Sequence, residues 1–274
     1  MFYILSGVIT RIVSNSYLNV FQKTLTQEGN RPSVVNFYTY LGLTILSLFF
    51  VFSINIQNTN TLLVNFILMG ILGALGNYYI IKALSLGELS TLAPINSYKP
   101  LVAILVSFFY LKEIPSLSAI FGIVLIILGT YILYNKGEYN SKAVFYRVLA
   151  LIFSGTEAVF IKKIILLTDI PTSFVLWALS GLIFSVFFTL GDKNCFKLPQ
   201  IKPLIMLILS VGIMQYSTNF VFSKINVSYA LALFQLSTLL SVILGAKIFH
   251  ETGLKRKVIA SLIMIFGAIV IIVS

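Results

Sequence analysis

The stretch LSTLAPINSYKPLVAILVSFFY, residues 89–110, is long and apolar enough to cross a lipid bilayer as a helix. It nevertheless contains two prolines, Pro94 and Pro100, and a lysine, Lys99, near its middle. A proline removes a backbone donor and a charge in lipid is costly, so both are tolerated only where protein or water surrounds them. The stretch therefore predicts an interrupted transmembrane helix whose centre lines a cavity.

The composition around this stretch is that of a membrane protein. Of the 274 residues, 58% are hydrophobic and 10% are charged, whereas soluble domains carry about 25% charged residues. The net charge of +11 comes from basic residues that separate the apolar runs and do not form one patch. Such a pattern indicates loops beside anionic lipid headgroups and argues against nucleic acid as a partner.

Apolar runs of about 20 residues predict ten transmembrane spans. Their predicted limits are 2–22, 32–53, 62–82, 89–110, 116–135, 144–166, 171–190, 203–222, 228–249 and 256–274. The connections between them are too short for a soluble domain. Residues 141–147 divide the chain into five spans on either side.

The two halves repeat each other. At a shift of 139 and then of 138 residues, the matched pairs include Lys23 with Lys162, Pro32 with Pro171, Gly42 with Gly181, Ser90 with Ser228 and Glu113 with Glu251. Because five is an odd number, consecutive copies enter the membrane in opposite directions. We therefore predict an all-α integral membrane fold of ten transmembrane helices in two inverted five-helix repeats, with domains 1–138 and 139–274. Such repeats place a site near the bilayer midplane between the halves.

One unit in each half carries a family resemblance. It reads KALSLGELSTLAPINSYKPLVAILVSFFYLKEIPSLSAIFGIVLIILGTYIL at 82–133 and SKINVSYALALFQLSTLLSVILGAKIFHETGLKRKVIASLIMIFGAIVII at 223–272. Both copies have a polar-rich helix, a Glu just past its end and a glycine-bearing helix. This pattern resembles the EamA-like ten-helix members of the drug/metabolite transporter superfamily. The resemblance implies secondary transport by alternating access, driven by an ion gradient or by exchange and without ATP.

Two indications of membrane orientation disagree. Basic residues concentrate in the odd-numbered connections, which by the positive-inside rule places both termini outside. The resemblance implies cytoplasmic termini. The sequence leaves the orientation open, and we predict a multi-pass protein of the plasma (inner) membrane.

Three ionisable side chains fall near the centres of their spans: Arg11 in the first, Lys99 in the fourth and Glu157 in the sixth. Each charge costs about 3 kcal/mol at a helix centre, so we expect the three to face one another or a water-filled cavity. The repeat alignment places uncharged residues opposite them, namely Ala150, Ser237 and Leu18. We interpret the charges as groups that bind substrate or a proton. The alternative is a buried ion network that locks the helices together.

Other candidate substrate-binding residues are polar or aromatic side chains within the spans. They are Asn15, Asn19, Asn96, Tyr78, Trp177, Gln215, Tyr216, Asn219 and Gln235. For the amides, ordinary hydrogen bonding between helices is the alternative role. Glu113 and Glu251 repeat at helix ends, and we interpret them as helix-connection elements.

We predict a transporter of a small polar metabolite, because Lys99 and Arg11 outnumber Glu157 at mid-depth. A carboxylate-bearing solute such as an amino acid or another zwitterion fits both signs of charge, with a coupling proton or an exchanged metabolite as second partner. The runner-up is a proton-coupled exporter of lipophilic cations, since Glu157 resembles by position the membrane glutamate of small multidrug exporters.

A non-transport alternative is a membrane scaffold or an unrecognised membrane enzyme, with a dry centre and mutually paired charges. Enzyme motifs are absent from the sequence: His250 is the only histidine and Cys195 the only cysteine. We therefore predict no enzyme activity, no metal and no cofactor.

Overall fold

In a computed structural model, the residues described are 2–56, 59–114, 116–133, 140–190, 197–249 and 254–273. Within these ranges all regular structure is helical and forms ten spans. From first to tenth, the spans are Phe2–Gln27, Pro32–Ser53, Thr59–Leu86, Leu89–Tyr110, Leu117–Leu133, Ser141–Leu167, Ile170–Thr189, Ile201–Phe222, Val227–Phe249 and Leu254–Val273.

Seven of the spans are long and apolar enough to cross a membrane: the second, third, fourth, sixth, seventh, eighth and ninth. Shorter apolar helices occupy Leu117–Gly129 in the fifth span and Val258–Gly267 in the tenth. The first span, Phe2–Gln27, is not among the seven. The chain is thus an all-α, multi-pass membrane protein.

Local chemistry sets where several spans begin. The second span starts at Pro32 and the seventh has Pro171 in its first turn, where the missing N–H of proline costs no helical hydrogen bond. Asp169 caps the seventh span by accepting from the N–H of Thr172 at 2.8 Å, and Asn140 caps the sixth by accepting from the N–H of Lys142 at 3.0 Å.

The fourth span is interrupted as its prolines predict. An α-helical turn at Leu89–Leu92 leads into a 3₁₀ segment at Ala93–Tyr98, and an α-helix then runs over Lys99–Tyr110. Pro100 lies in the first turn of that helix, where a proline is tolerated.

The ninth span is interrupted at the equivalent place, although it contains no proline. Its first helix, Val227–Phe234, ends before Gln235 and Leu236, and a second helix runs over Ser237–Phe249. The 138-residue shift pairs Lys99 with Ser237, so the second helix begins at matched residues in both spans.

The packing of the spans has an internal two-fold symmetry. The first span packs along the eighth, and correspondingly the sixth packs along the third. The first also contacts the ninth and the sixth contacts the fourth, while the second pairs with the seventh and the fifth with the tenth. Exchanging each span for the one five later turns this set of pairs into itself. The fold therefore consists of two inverted five-helix repeats.

The apolar side chains separate into two environments. Bulky rings such as Phe174, Trp177 and Phe234 are buried where the two halves meet. Others, including Phe52 at 98% exposure and Leu117 at 86%, lie on the outer surface, where lipid would cover them. The polar residues at mid-depth thus lie within a shell of packed helices.

Candidate functional site

A cavity of about 110 Å³ lies between the two halves and is bounded by every span except the fifth and tenth. Eight of the twelve predicted binding residues line it: Arg11, Asn15, Asn19, Asn96, Lys99, Glu157, Trp177 and Gln215. These residues come from five different spans, and the folding of the chain brings them to one place.

Glu157 occupies the sixth span and is 8% exposed. Its Oε1 accepts a hydrogen bond from the indole N–H of Trp177 at 2.6 Å. A Cβ added at Gly73 would collide with the same oxygen, so this carboxylate lies directly against the backbone of the third span. Trp177 accounts for every hydrogen bond that the described residues make to the carboxylate of Glu157.

Tyr40 completes the aromatic wall beside this carboxylate. Its ring lies 5.3 Å from that of Trp177, centroid to centroid, and crosses so close to Gly181 that a Cβ there would collide with it. Tyr78 and Tyr216 were the tyrosines predicted from the sequence as substrate-binding residues, and Tyr40 was not among them. Because its contacts with Trp177 and Gly181 join distant segments, only the fold could single it out among 14 tyrosines.

Lys99 begins the second helix of the fourth span and lines the cavity. Among the described residues its ammonium group makes no hydrogen bond and no ion pair within 4 Å. Lys99 and Glu157 thus share the cavity as opposite charges without direct contact.

Arg11 lies on the opposite side, where the first and ninth spans meet. It is 6% exposed, and its guanidinium carbon is 4.7 Å from the centroid of the Phe234 ring, which gives a cation–π contact. Its Nε and Nη1 are buried and have no partner in the described part of the chain. Arg11 therefore retains donors that a ligand could occupy.

Arg147 is a fourth charged residue of the cavity. Sequence reasoning counted it among the basic residues that flank the spans and did not select it for the site. It lies in the sixth span, is 5% exposed and lines the cavity. Its Nε donates at 3.1 Å to the carbonyl of Leu92, where the fourth span leaves α-helical geometry. One sequence signal was present: Arg147 precedes Glu157 by ten residues and Ser154 by seven, which places all three on one helical face.

Hydrogen bonds between amide side chains join the spans around the cavity. Asn96 donates to Oε1 of Gln235 at 3.1 Å, and Asn15 donates to the hydroxyl of Ser237 at 3.0 Å. Both bonds reach the interruption of the ninth span. On another wall Asn77, which sequence reasoning missed, accepts from Gln22 at 3.0 Å.

Four predicted residues do not line the cavity. Tyr78 stacks on Phe188 and Tyr216 on Phe50, each with ring centroids 5.3 Å apart. Asn219 accepts from Gln215 at 2.9 Å, and Gln235 donates to the carbonyl of Leu231 at 2.7 Å. The two amides are therefore one hydrogen bond behind the cavity wall, while the two tyrosines pack elsewhere.

A separate polar cluster lies near the membrane face at which the fourth span ends. Lys162 Nζ pairs with Oε1 of Glu113 at 2.7 Å and donates to the carbonyl of Ile225 at 2.8 Å. Oε2 of Glu113 accepts from the backbone N–H of Val227 at 3.0 Å. This Glu113 cluster joins the fourth, sixth and ninth spans. The predicted counterpart of Glu113, Glu251, lies outside the described residues, as do Cys195 and His250.

The described residues contain no group of three or more His, Cys, Asp or Glu side chains that could hold a metal ion. The cavity is lined by charged, amide and aromatic side chains. These are the means of binding and orienting a small polar solute.

An inverted-repeat membrane fold with a charged cavity between its halves is the architecture of many secondary transporters. The model of the EamA-like transporter family matches residues 2–135 and 141–273, and the chain belongs to that family. One solved crystal structure resembles this fold with a TM-score of 0.73 over 97% of this chain and 95% of that chain. At 15% sequence identity, this likeness describes the fold alone. Among curated proteins, none matches the sequence.

Proposed function

We propose that the protein is a secondary transporter that carries a small carboxylate-bearing solute, such as an amino acid or a related zwitterion, across the plasma (inner) membrane by alternating access. One observation carries the proposal. Three cationic residues and one carboxylate line a single cavity, and among the described residues no ion pair within 4 Å joins them.

The excess of cations favours a solute with an anionic group. A buried charge without a partner costs several kcal/mol, and this cost is removed when a ligand supplies the opposite charge. The ammonium group of Lys99 makes no hydrogen bond among the described residues, and Arg11 has two buried nitrogens without partners. A carboxylate bound between them would occupy donors that the protein leaves unused.

The Glu157 side of the cavity favours an ammonium group at the other end of the same solute. The carboxylate of Glu157 lies beside the indole of Trp177, and the ring of Tyr40 packs against that indole. Carboxylates and aromatic faces both attract organic cations. A zwitterion can therefore pair with both parts of the cavity in a single orientation.

The carboxylate of Glu157 beside these aromatic rings also supports a second candidate, a proton-coupled exporter of lipophilic cations. In that mechanism Glu157 would bind proton and substrate in turn, and Lys99 would have no role. External protons would then inhibit transport, and loss of Lys99 would be tolerated. The non-transport scaffold requires a dry centre with paired charges, and both the cavity and the unpaired Lys99 argue against it.

The test begins with a thermal-shift screen of the purified protein against amino acids and other small carboxylates, since a ligand that binds only the folded state raises its stability. Uptake of the hits is then measured in liposomes for the parent protein and for Lys99→Ala, Glu157→Gln and Lys163→Met. The last variant is a matched control, because Lys163 is absent from the cavity wall.

We expect Lys99→Ala and Glu157→Gln to lose uptake and Lys163→Met to retain it. Uptake at the parent rate by both cavity variants would overturn the proposal. Loss in Glu157→Gln alone, combined with inhibition by external protons, would favour the cation exporter.

A further inference from the structure

A second cavity, which we call the vestibule, has a volume of about 300 Å³ and lies at the membrane face where the first and third spans end. The fourth and sixth spans begin at the same face. The wall of the vestibule includes Lys23, Ser85, Glu88, Thr91, Leu92 and Ala143. Its polar wall suits a water-filled approach to the protein interior.

One face of the sixth span leads from the vestibule to the central cavity. Ala143 lines the vestibule, and Arg147, one helical turn further on, lines the central cavity. Ser154 and Glu157 follow on the same face deeper in the membrane. The two cavities are therefore neighbours along a single helix, and Arg147 lies at their junction.

A single hydrogen bond marks this junction. Leu92 belongs to the vestibule wall, and its carbonyl accepts from Nε of Arg147 at 3.1 Å. This bond accounts for the hydrogen bonding of the Arg147 guanidinium within the described residues. Toward the opposite membrane face, the Glu113 cluster joins three spans by an ion pair and two hydrogen bonds.

We propose that Arg147 is a specificity-determining residue at the neck between the vestibule and the central cavity. An anionic group that arrives in the vestibule binds the guanidinium in place of the Leu92 carbonyl and passes from there toward Lys99 and Arg11. This inference rests on the proposed function. It adds a selection step, because a cationic solute would meet a like charge before it reached Glu157.

The exchange of partners is favourable for an anion. A charge-assisted hydrogen bond to a carboxylate is roughly twice as strong as one to a neutral carbonyl, and a guanidinium can bind a carboxylate through two parallel bonds. Lysine could supply the charge at this position but not the planar pair of donors. Arginine and lysine both carry the positive charge that attracts anions and repels cations, so we expect the charge of Arg147 to set the preference for anions.

The test measures how fast charged thiol reagents reach the central cavity, and it requires no knowledge of the substrate. In the full chain with Cys195→Ser, Ser154→Cys places one thiol beyond the neck. The protein in lipid nanodiscs is treated with an anionic reagent, sulfonatoethyl methanethiosulfonate, and with a cationic one, trimethylammonioethyl methanethiosulfonate. Each rate is divided by the rate of the same reagent at a surface thiol, introduced separately as Ser141→Cys. This division corrects for the different intrinsic reactivities of the two reagents.

With Arg147 present, we expect the normalised rate of the anionic reagent to exceed that of the cationic one. Arg147→Gln keeps a donor for the Leu92 carbonyl but removes the charge, so the anion-to-cation ratio should fall by at least about tenfold, the lower end of electrostatic focusing in clefts. Arg147→Lys should keep most of the preference. Should Arg147→Gln fail to fold in thermal unfolding, the lysine variant still decides, because a lost preference there contradicts the role of the charge.

Arg256→Gln provides the matched control, because Arg256 also donates through Nε to a backbone carbonyl, that of Ile132, and is absent from both cavity walls. An equal fall in this control would overturn the inference, as would an unchanged ratio in Arg147→Gln or a thiol at position 154 that neither reagent reaches. Failure of the proposed function is separate, since it appears as normal uptake by Lys99→Ala and Glu157→Gln.

Discussion

The side-chain amide of Asn96 donates to Oε1 of Gln235 at 3.1 Å and so joins the interrupted fourth span to the interrupted ninth span. Each residue comes from a different half of the chain and lies next to the point where its own helix resumes. The bond therefore couples the two irregular segments that border the central cavity.

A double-mutant cycle tests this coupling. Asn96→Ala, Gln235→Ala and the double variant should show a coupling free energy of about 0.6 kcal/mol or more, the average for hydrogen bonds between transmembrane helices. The measurement is reversible unfolding in detergent micelles. Strictly additive effects of the two substitutions would contradict the coupling.

Gly73→Ala should abolish uptake, because a Cβ at this position collides with Oε1 of Glu157 and must displace the carboxylate. Gly212→Ala is the matched control: the nearest atom to its added Cβ is a Leu43 methyl at 3.6 Å, an ordinary contact. Liposome uptake and thermal unfolding are measured for both. Equal uptake by the two variants would show that the position of Glu157 is not critical.

Trp177→Phe should weaken solute binding while the fold is kept. It removes the N–H that donates to Glu157 at 2.6 Å and retains a ring for packing against Tyr40. A hydrogen bond to a charged group contributes about 1.5–3 kcal/mol, which corresponds to roughly a tenfold to hundredfold loss of affinity. Calorimetric titration with the solute found in the thermal-shift screen measures it. Unchanged affinity would mean that the indole does not position the carboxylate.

Lys162→Met should destabilise the protein by about 3–5 kcal/mol, because it leaves Glu113 as a buried charge without its ion-pair partner. Lys163→Met, at the neighbouring residue, should change stability by less than about 0.5 kcal/mol, as is usual away from buried networks. Thermal unfolding of the two variants side by side makes the comparison. Similar melting temperatures would remove the stabilising role assigned to the Glu113 cluster.

Hydropathy and the internal repeat were enough to predict the ten spans and their inverted arrangement. The limits of the fourth span were predicted to the residue from its apolar run, and Pro94 and Pro100 marked the interruption within it. The ninth span carries no such mark, and its interruption depends on tertiary contacts such as the bond from Asn15 to Ser237. Local sequence does not contain that information.

The charges of the cavity were partly predictable. Arg11, Lys99 and Glu157 were found because an ion at the centre of an apolar run is conspicuous. Arg147 was missed because it lies in the second turn of its span, where a basic residue is normally a membrane-surface anchor. Its Leu92 partner lies 55 residues away, so only the folded chain identifies its role.

The exchange symmetry of the span pairs bears on the energy of conformational change. From the interchangeable first–eighth and third–sixth pairs we expect a second arrangement, in which each half takes the shape of the other. Both arrangements would contain nearly the same set of helix contacts, so we expect their free energies to lie close together. The residues that differ between the halves, above all Lys99 and Glu157, would then decide which arrangement is populated, and a bound solute could reverse that preference with a modest binding energy.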